Sequence, residues 1–514
     1  MARLAQLPLS VALLGVAAVA MLLPALQAEV LGDRTLALIF LRSAAGTGLA
    51  ATLLGLAVPR ARPGRGGLVS LAAAFVLLPV VLGLPLAQAL PDTGLLNAWW
   101  EMLSAFTTTG ASLYDPARLA MPLHLWRCIA GWGGGLLTLA AAVAILAPLQ
   151  VGGFELVAPP LAPPPDTAGA PMSETRRVGR AAIAILPLYA GATVVLWLGL
   201  RIAGDGAFDA LLRAMGTVST SGVIATPGPV GARSGWIGEA MVLAVLLLSL
   251  SRRFWPGGEA LRTTRRLADD PELRLAAAVI VAVGAAVFLR HAAGAESAVR
   301  AQTALQTLAN GAAAIWGAVF TATSFLTTTG WTSSAWTGAI AWSGLTAPGL
   351  ILAGLAILGG GAATAAGGVK LLRVAALASH SAREMERIVH PALVTGGGPT
   401  RRRLRREGAF LAFVFFMLFA GAITVTVLLL TLQRVEFEAA TILAVAALSN
   451  TGGLMSAIPL APTLGGGAGA AGALWEGWAG LPALTKAVLA GAMVVGRLEI
   501  VAVIALFSPG YWRR

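Results

Sequence analysis

Apolar residues run through this chain in long blocks, and the polar residues gather in short connections between them. Ten stretches, at about 8–28, 36–57, 67–90, 122–147, 180–203, 235–251, 272–292, 339–379, 408–432 and 480–507, are long enough to cross a bilayer, which takes roughly 20 apolar residues in a helix. Four further segments are helix-like but too short to span: 95–105, 208–217, 305–324, where a helix is expected over only part of the length, and 437–448. Each short segment runs into small hydroxyl or amide residues followed by glycine. The four endings are Thr107-Thr108-Thr109-Gly110, Ser219-Thr220-Ser221-Gly222, Thr327-Thr328-Thr329-Gly330 and Ser449-Asn450-Thr451-Gly452.

A polar, glycine-containing segment at membrane depth is tolerated only where it is buried in protein or lines a water-filled cavity. One such ending alone would read as an ordinary helix cap with glycine just past the end. Four in equivalent positions point to a shared lining. After two leading spans, the order helix, half-helix, polar glycine segment, helix occurs four times. The expected divisions are the leading pair at 1–66 and repeats at 67–151, 178–251, 272–380 and 407–508. A half-helix that stops in mid-membrane points the negative pole of its dipole at the stopping place, and four such ends favour a cation there. The glycine is expected to let the backbone leave the helix in a conformation other residues resist. Successive carbonyl oxygens would then turn toward the axis and replace the water around an alkali cation.

Composition fixes the setting: 57% of the 514 residues are hydrophobic and 11% charged, with mean hydropathy +0.81. Basic residues cluster at Arg60-Ala61-Arg62 with Arg65, at Arg176-Arg177 with Arg180, from Arg252 to Arg274, from Arg373 to Arg406, and at Arg513-Arg514. All five clusters fall on one side if the spans are threaded with the N-terminus inside, and by the positive-inside rule that side is the cytoplasm. Many carboxylates (Asp92, Asp115, Asp205, Asp209, Glu296, Glu436, Glu438) fall on the other. The net charge of +13 thus orients the chain and meets anionic lipid rather than nucleic acid. The first span resembles a signal peptide at its edges, but its apolar run is longer than a signal core, and it reads as a retained helix.

Two connections stand out: the proline-rich stretch at 158–165, expected as an extended cytoplasmic linker, and Gly396-Gly397-Gly398-Pro399 ahead of the fourth repeat. Enzymatic chemistry finds little footing. Cys128 is the single cysteine, and His124, His291, His380 and His390 are scattered with no zinc-protease pair. Glycine runs such as 465–467 lack the lysine and hydroxyl of a phosphate loop. A membrane-embedded enzyme stays as the alternative from another class, and a less selective sodium/potassium transporter as the alternative within this one.

The chain resembles the Trk/Ktr/HKT superfamily of potassium transporters over essentially its full length, and most of all the bacterial Trk-type membrane subunit. The resemblance is carried by the four glycine endings, Trp126-Arg127 with Gly131-Trp132-Gly133-Gly134-Gly135, the run from Gly359-Gly360-Gly361 to Gly367-Gly368 with Lys370, His390-Pro391, Gly496-Arg497-Leu498-Glu499, and the ending Pro509-Gly510-Tyr511-Trp512-Arg513. It implies an all-α polytopic membrane protein: four membrane-pore-membrane repeats around a central pore, preceded by two transmembrane helices. It further implies that the four endings form a selectivity filter for K+, with Gly110, Gly222, Gly330 and Gly452 as its glycines. Sodium-preferring relatives can carry serine at the first of these, so glycine in all four favours potassium.

The same resemblance makes 359–368 an intramembrane gating loop beneath the filter, against close helix packing through small residues as the plainer account. Relatives often have glycine where this chain has Ala363 and Ala366. Arg497 lies well inside the last span, where an isolated arginine costs about 2.5–3.5 kcal/mol on insertion scales. It would face the path as an electrostatic barrier, or else pair structurally with a carboxylate such as Glu101 or with a helix C-terminus. Lys370 is a second charge near the path or a snorkelling residue. The stretch Ser249-Leu250-Ser251-Arg252-Arg253-Phe254-Trp255-Pro256-Gly257-Gly258 does not resemble relatives well. No covalently bound cofactor is expected. The partners implied are a second copy, membrane lipid and a cytosolic regulatory ring that binds nucleotide (NAD or ATP/ADP), with the basic run at 401–406 either a docking surface for that ring or a contact for anionic lipid. The expected location is the bacterial cytoplasmic (inner) membrane, with both termini in the cytoplasm.

Overall fold

The computed structural model describes residues 7–57, 67–149, 173–226, 228–256, 266–294, 304–345, 348–390, 399–458 and 478–507. The basic cluster at 60–65, the linker at 158–165, the glycines at 257–258, 396–398 and 465–467, Glu296, Pro391 and the ending at 509–514 lie outside the described residues, as do the side chains of 401–406.

Helices α1 (Leu9–Ala20) and α2 (Leu22–Val30) run on through Met21, which keeps right-handed helical dihedrals. Asp33 opens the returning helix α3 (Arg34–Ala57) by accepting the Leu36 N–H at 3.0 Å. Then follow α4 (Gly67–Ala89), α5 (Gly94–Phe106) and α6 (Met121–Ala141), and next α7 (Glu174–Ile202), α8 (Ala207–Val218) and α9 (Gly235–Leu246). The third set is α10 (Pro271–Gly294), α11 (Ala304–Leu326), α12 (Trp336–Ser343), α13 (Pro348–Leu358) and α14 (Leu371–Val389). The last is α15 (Pro399–Thr431), α16 (Phe437–Leu448), α17 (Leu454–Ala457), α18 (Ala483–Leu498) and α19 (Ile500–Phe507).

The fold is that of an all-α polytopic membrane protein. Among the described residues seven helices are long and apolar enough to cross a membrane, and the only strand-like pairing is one isolated parallel bridge between Val230 and Ser333. Helices α5 and α16, of 13 and 12 residues, reach about 18–20 Å at 1.5 Å per residue, short of a hydrocarbon core of roughly 30 Å.

Three expected spans come out differently. The stretch at 339–379 is too long for one crossing and breaks into α12, α13, a non-helical segment at 359–370 and α14, with Gly344 (φ 65) capping α12 in the left-handed region. The one at 480–507 is interrupted at Glu499 (φ 66), whose carboxylate turns aside to meet Arg373 at 2.6 Å. The one at 235–251 forms a shorter apolar helix ending at Ser249. Conversely, 305–324 is helical throughout as part of α11, because Ala309, Ala312, Ala313, Ala314 and Ala318 carry the helix past Asn310 and Gly311.

The leading helices join the same apolar core as the short ones: Phe40 of α3 meets Trp126 of α6 edge-on at 6.0 Å, and the Trp126 indole donates to the Leu82 carbonyl of α4 at 2.8 Å. Trp100 of α5 stacks near Trp478 and donates to the Lys486 carbonyl of α18 at 2.9 Å, tying the first set of helices to the last. Small residues let backbones approach where lipid gives no hydrophobic drive to associate. At Gly134 of α6 a methyl group would overlap the Phe106 carbonyl at the end of α5, whereas one at neighbouring Gly133 would meet nothing within 4 Å. Gly134→Ala is therefore expected to lower stability by about 1–3 kcal/mol, and Gly133→Ala to leave it unchanged. Thermal unfolding of the two variants in detergent, with equal midpoints, would refute this close contact.

Candidate functional site

Helices α5, α8, α11 and α16 end one residue before Thr107, Ser219, Thr327 and Ser449. In all four the hydroxyl of that first residue turns back to the carbonyl four residues earlier: Thr107 to Leu103 at 2.8 Å, Ser219 to Met215 at 2.7 Å, Thr327 to Thr323 at 3.0 Å and Ser449 to Val445 at 2.6 Å. The same hydroxyl meets that of the third residue, at 2.9, 2.9, 3.2 and 3.0 Å in chain order. The first and third side chains thus hold each other against the helix end.

The second residue leaves the helix. Thr108, Thr220, Thr328 and Asn450 have φ of 57, 54, 58 and 54°, a left-handed conformation that a β-branched threonine adopts only under constraint. This corrects the expectation that the glycine makes the first departure. Gly110, Gly222 and Gly330 supply a second left-handed residue (φ 74, 61 and 79°), while Gly452 stays outside that region. Alternating the sign of φ turns successive carbonyls the same way, as the complementary arrangement turns N–H groups into an anion nest. The fourth segment departs again here, because the Thr451 and Gly452 carbonyls accept the Leu454 and Met455 N–H groups at the start of α17.

The four glycines meet in a ring of main chains. A methyl on Gly110 would overlap the Ser221 carbonyl, and one on Gly222 the Thr329 carbonyl. One on Gly330 would lie 3.1 Å from the Gly453 Cα, and one on Gly452 would lie 2.6 Å from the Thr109 carbonyl oxygen. The Gly452 N–H donates to that same carbonyl at 2.7 Å, which closes the circle from the fourth segment to the first. All four glycines line a single cavity of about 200 Å³, together with Ser112, Tyr114, Arg127, Trp331 and Trp478 among others. Of the second-residue side chains, the Thr108 and Thr220 hydroxyls and the Asn450 Oδ1 are buried without a hydrogen-bond partner among the described residues.

The non-helical segment at 359–370 lies at the opposite, helix-proximal end of these endings. The Gly367 N–H donates to the Thr328 hydroxyl at 2.8 Å, and a methyl on Gly367 would overlap the Ser449 carbonyl. Gly359 packs against Gly367 and Gly368 so closely that neither backbone leaves room for a side chain, and both Gly359 (φ 72) and Gly368 (φ 76) are left-handed. Gly360 and Gly361 face the Ser249 and Leu250 main chain. Ala363 adopts φ 54° and Lys370 φ 85°, so alanine takes up a strained conformation that glycine would relax. The Lys370 ammonium bonds back to the Ala366 carbonyl within the segment.

Arg497 bridges the two parts. Its Nε donates to the Thr107 carbonyl at 2.8 Å and one terminal nitrogen to the Ala365 carbonyl at 2.7 Å. It therefore does not pair with Glu101, which instead binds Arg127 at 2.7 Å; of the structural alternatives, the helix C-terminus is the one realised. On the exposed connections around α5, Arg118 lies 2.6 Å from Asp92 and holds its carboxyl below the usual range, a pair that adds little stability in water.

Sequence reasoning passed over a second set of buried charges. Arg252, read only as part of a basic cluster, is fully buried and donates to the Ala363 carbonyl at 2.7 Å and the Pro256 carbonyl at 2.9 Å. Glu272 accepts the Ala362 N–H at 2.6 Å, and the Ser249 carbonyl accepts the Gly361 N–H at 3.0 Å and the Thr364 hydroxyl at 3.1 Å. The poorly matching stretch at 249–256 is thus a bracket for the segment. The available signal was the run Ser251-Arg252-Arg253 abutting an apolar helix.

Fold and site define a class, helical membrane proteins in which four glycine endings at helix C-termini meet around one cavity. No family model matches the chain. It is 28% identical over 453 residues to the Trk system potassium uptake protein TrkI of Halomonas elongata, covering 86% of this chain and 81% of that one. To TrkH of Escherichia coli K12 it is 28% identical over 432 residues, covering 82% and 80%, and to TrkG of the same strain 26% identical over 462 residues, covering 87% and 86%. The crystal structure of the potassium transporter TrkH from Vibrio parahaemolyticus superposes with TM-score 0.76 at 23% identity, over 100% of both chains, and shows the same fold. The chain is thus similar over most of its length to the Trk system potassium uptake proteins, as its motifs led us to expect, and those proteins are transporters rather than enzymes.

The bracket has a direct consequence. Replacing Arg252 by methionine keeps the apolar stem but leaves the Ala363 carbonyl without its charged donor, a bond worth about 1.5–3 kcal/mol. Amide exchange at 361–364 is expected to quicken about tenfold or more, read by mass spectrometry on the protein in lipid nanodiscs. Unaltered protection there would show that the arginine does not hold the segment.

Proposed function

We propose that the protein takes up potassium across the cytoplasmic membrane, through a selectivity filter formed by the endings at 107–110, 219–222, 327–330 and 449–452 and gated by the segment at 359–370. One observation carries this reading: the glycines that follow four helix ends share one cavity, and in three of the same endings the buried Thr108 and Thr220 hydroxyls and the Asn450 Oδ1 have no hydrogen-bond partner among the described residues. Buried oxygens without partners are costly, and a dehydrated cation is the partner that main-chain and side-chain oxygens can share. Four helix C-termini add the favourable pole of their dipoles. Potassium as the cargo rests on the relatives' names and on glycine at all four positions.

In this reading the leading pair is 1–66 and the pore repeats are 67–151, 178–251, 272–380 and 407–508. The basic side faces the cytoplasm, so the cavity opens outward and the segment at 359–370 lies on the inner side. Arg497 acts there as barrier and latch together, since its charge faces the path while its hydrogen bonds hold the segment to the first ending. A homodimer set above a nucleotide-binding cytosolic ring, with lipid around it, completes the assembly. The less selective sodium/potassium reading draws support from the fourth ending alone, where Gly452 is not left-handed and two carbonyls are turned into α17.

Rubidium and potassium uptake in potassium-starved cells tests the filter. In Gly110→Ser the added side chain meets the Ser221 carbonyl, so discrimination against sodium should fall roughly tenfold, about 1.4 kcal/mol; selectivity equal to the wild type would count against the assignment. Arg497→Ala should speed flux into liposomes roughly tenfold, because two charge-assisted bonds of about 1.5–3 kcal/mol each no longer restrain the segment. A folded but inactive variant would make the arginine structural only.

A further inference from the structure

We propose that Glu239 is a positioning residue that sets potassium-over-sodium discrimination by fixing the chain leaving the third filter glycine. The inference rests on the filter reading above. Glu239 sits on α9, in the second set of helices, yet everything its carboxylate binds belongs to the third. Oε2 accepts the Trp316 indole N–H of α11 at 2.7 Å and the Ser333 hydroxyl at 2.8 Å. Oε1 accepts the Ser334 N–H at 2.6 Å and the Ser334 hydroxyl at 2.8 Å. The side chain is fully buried, and among the described residues its partners are indole, hydroxyl and amide groups.

An ionised carboxylate is an acceptor only, with about four lone-pair sites, so these four donors saturate it. A charge buried in this way is retained at a cost unless its hydrogen bonds perform something a neutral residue cannot. Glutamine in its place would turn an NH2 donor toward two donors. The space is also specific: a methyl on Gly231 would come within 2.7 Å of Oε1.

What Glu239 holds is coupled to the ring. The Trp331 indole, two residues before Ser333, donates to the Gly222 carbonyl at 3.2 Å, and the Trp331 N–H donates to the Ser324 hydroxyl at 2.7 Å. The Val230 N–H donates to the Thr332 carbonyl at 3.1 Å. Movement at 331–334 therefore displaces a carbonyl of the second ending as well as the chain leaving the third. Glu101 does the same office for the first ending, accepting the Leu113 N–H at 2.7 Å and the Ser112 hydroxyl at 3.0 Å, but its charge is met by Arg127. Among the described residues Glu239 performs it with neutral donors alone.

The experiment compares rubidium uptake and its competition by sodium for the wild type, Glu239→Gln and Ser334→Ala, each in full-length protein reconstituted in liposomes and checked for monodispersity. Glu239→Gln should reduce potassium-over-sodium discrimination about tenfold (1.4 kcal/mol), and Ser334→Ala, which removes one donor, should reduce it by a smaller factor in the same direction. Wild-type discrimination in a folded Glu239→Gln, or equal loss of both ions' uptake, overturns the proposal. If Glu239→Gln does not fold, Ser334→Ala decides by the same criterion. A wild type that carries no potassium would instead sink the filter reading itself, which separates the two failures.

Discussion

The structure depends on main chain packed against main chain where four helices stop. At Gly110, Gly222, Gly330 and Gly452 the neighbour is a backbone atom of the next ending around the ring, and the last ending bonds back to the first. No side chain can be inserted without moving a carbonyl. In a membrane, where lipid tails are as apolar as leucine, such close backbone contact replaces hydrophobic drive as the source of order between helices. The same rule recurs at Gly134 against Phe106, Gly496 against Leu448 and Gly367 against Ser449, each placing a glycine on the last residue of a short helix or the first residue after it.

Buried charges do the complementary work of holding what the glycines bring together. Arg127 with Glu101 and Glu239 alone hold the chain leaving two of the endings, Arg252 and Glu272 hold the middle segment, and Arg497 joins the two. Arg373 is paired to Glu499 and lies 3.8 Å from the Phe415 ring. A charge at this depth is expensive unless saturated with hydrogen bonds. That these charges converge on the endings and on one non-helical segment locates where the molecule tolerates the expense.

Much of this could be read from the chain because the endings repeat chemically, and a repeated signal at helix ends survives without any knowledge of neighbours. The half-helices α5, α8 and α16 begin and stop within two residues of the expected limits. The limits of the reading are equally physical. Which residue turns left-handed depends on the hydroxyl pair around it, so the turn was expected at the glycines rather than at Thr108 and Asn450. Apart from Pro256 beside Arg252, the partners of Arg252, Glu239 and Arg497 lie 77 to 390 residues away in sequence and follow no local period. The break at Glu499 comes from a tertiary partner, Arg373, that overrides an uninterrupted apolar pattern.

The four endings are alike in their hydroxyl pairs and unlike in what grips them from outside. The second is held by Trp331 through the Gly222 carbonyl, on the side fixed by Glu239. The third, fourth and first face the segment at 359–370 through the Thr328–Gly367 bond, the contact of Gly367 with Ser449, and Arg497. Four identical subunits could not divide these tasks, whereas one chain with four unequal copies can. Because Gly367 carries two of the three contacts and Ala365 the third, a displacement of a few residues breaks them together. Cooperative rupture of this kind is what a two-state element requires, and the strained Ala363 and Lys370 on either side mark where the backbone already departs from rest.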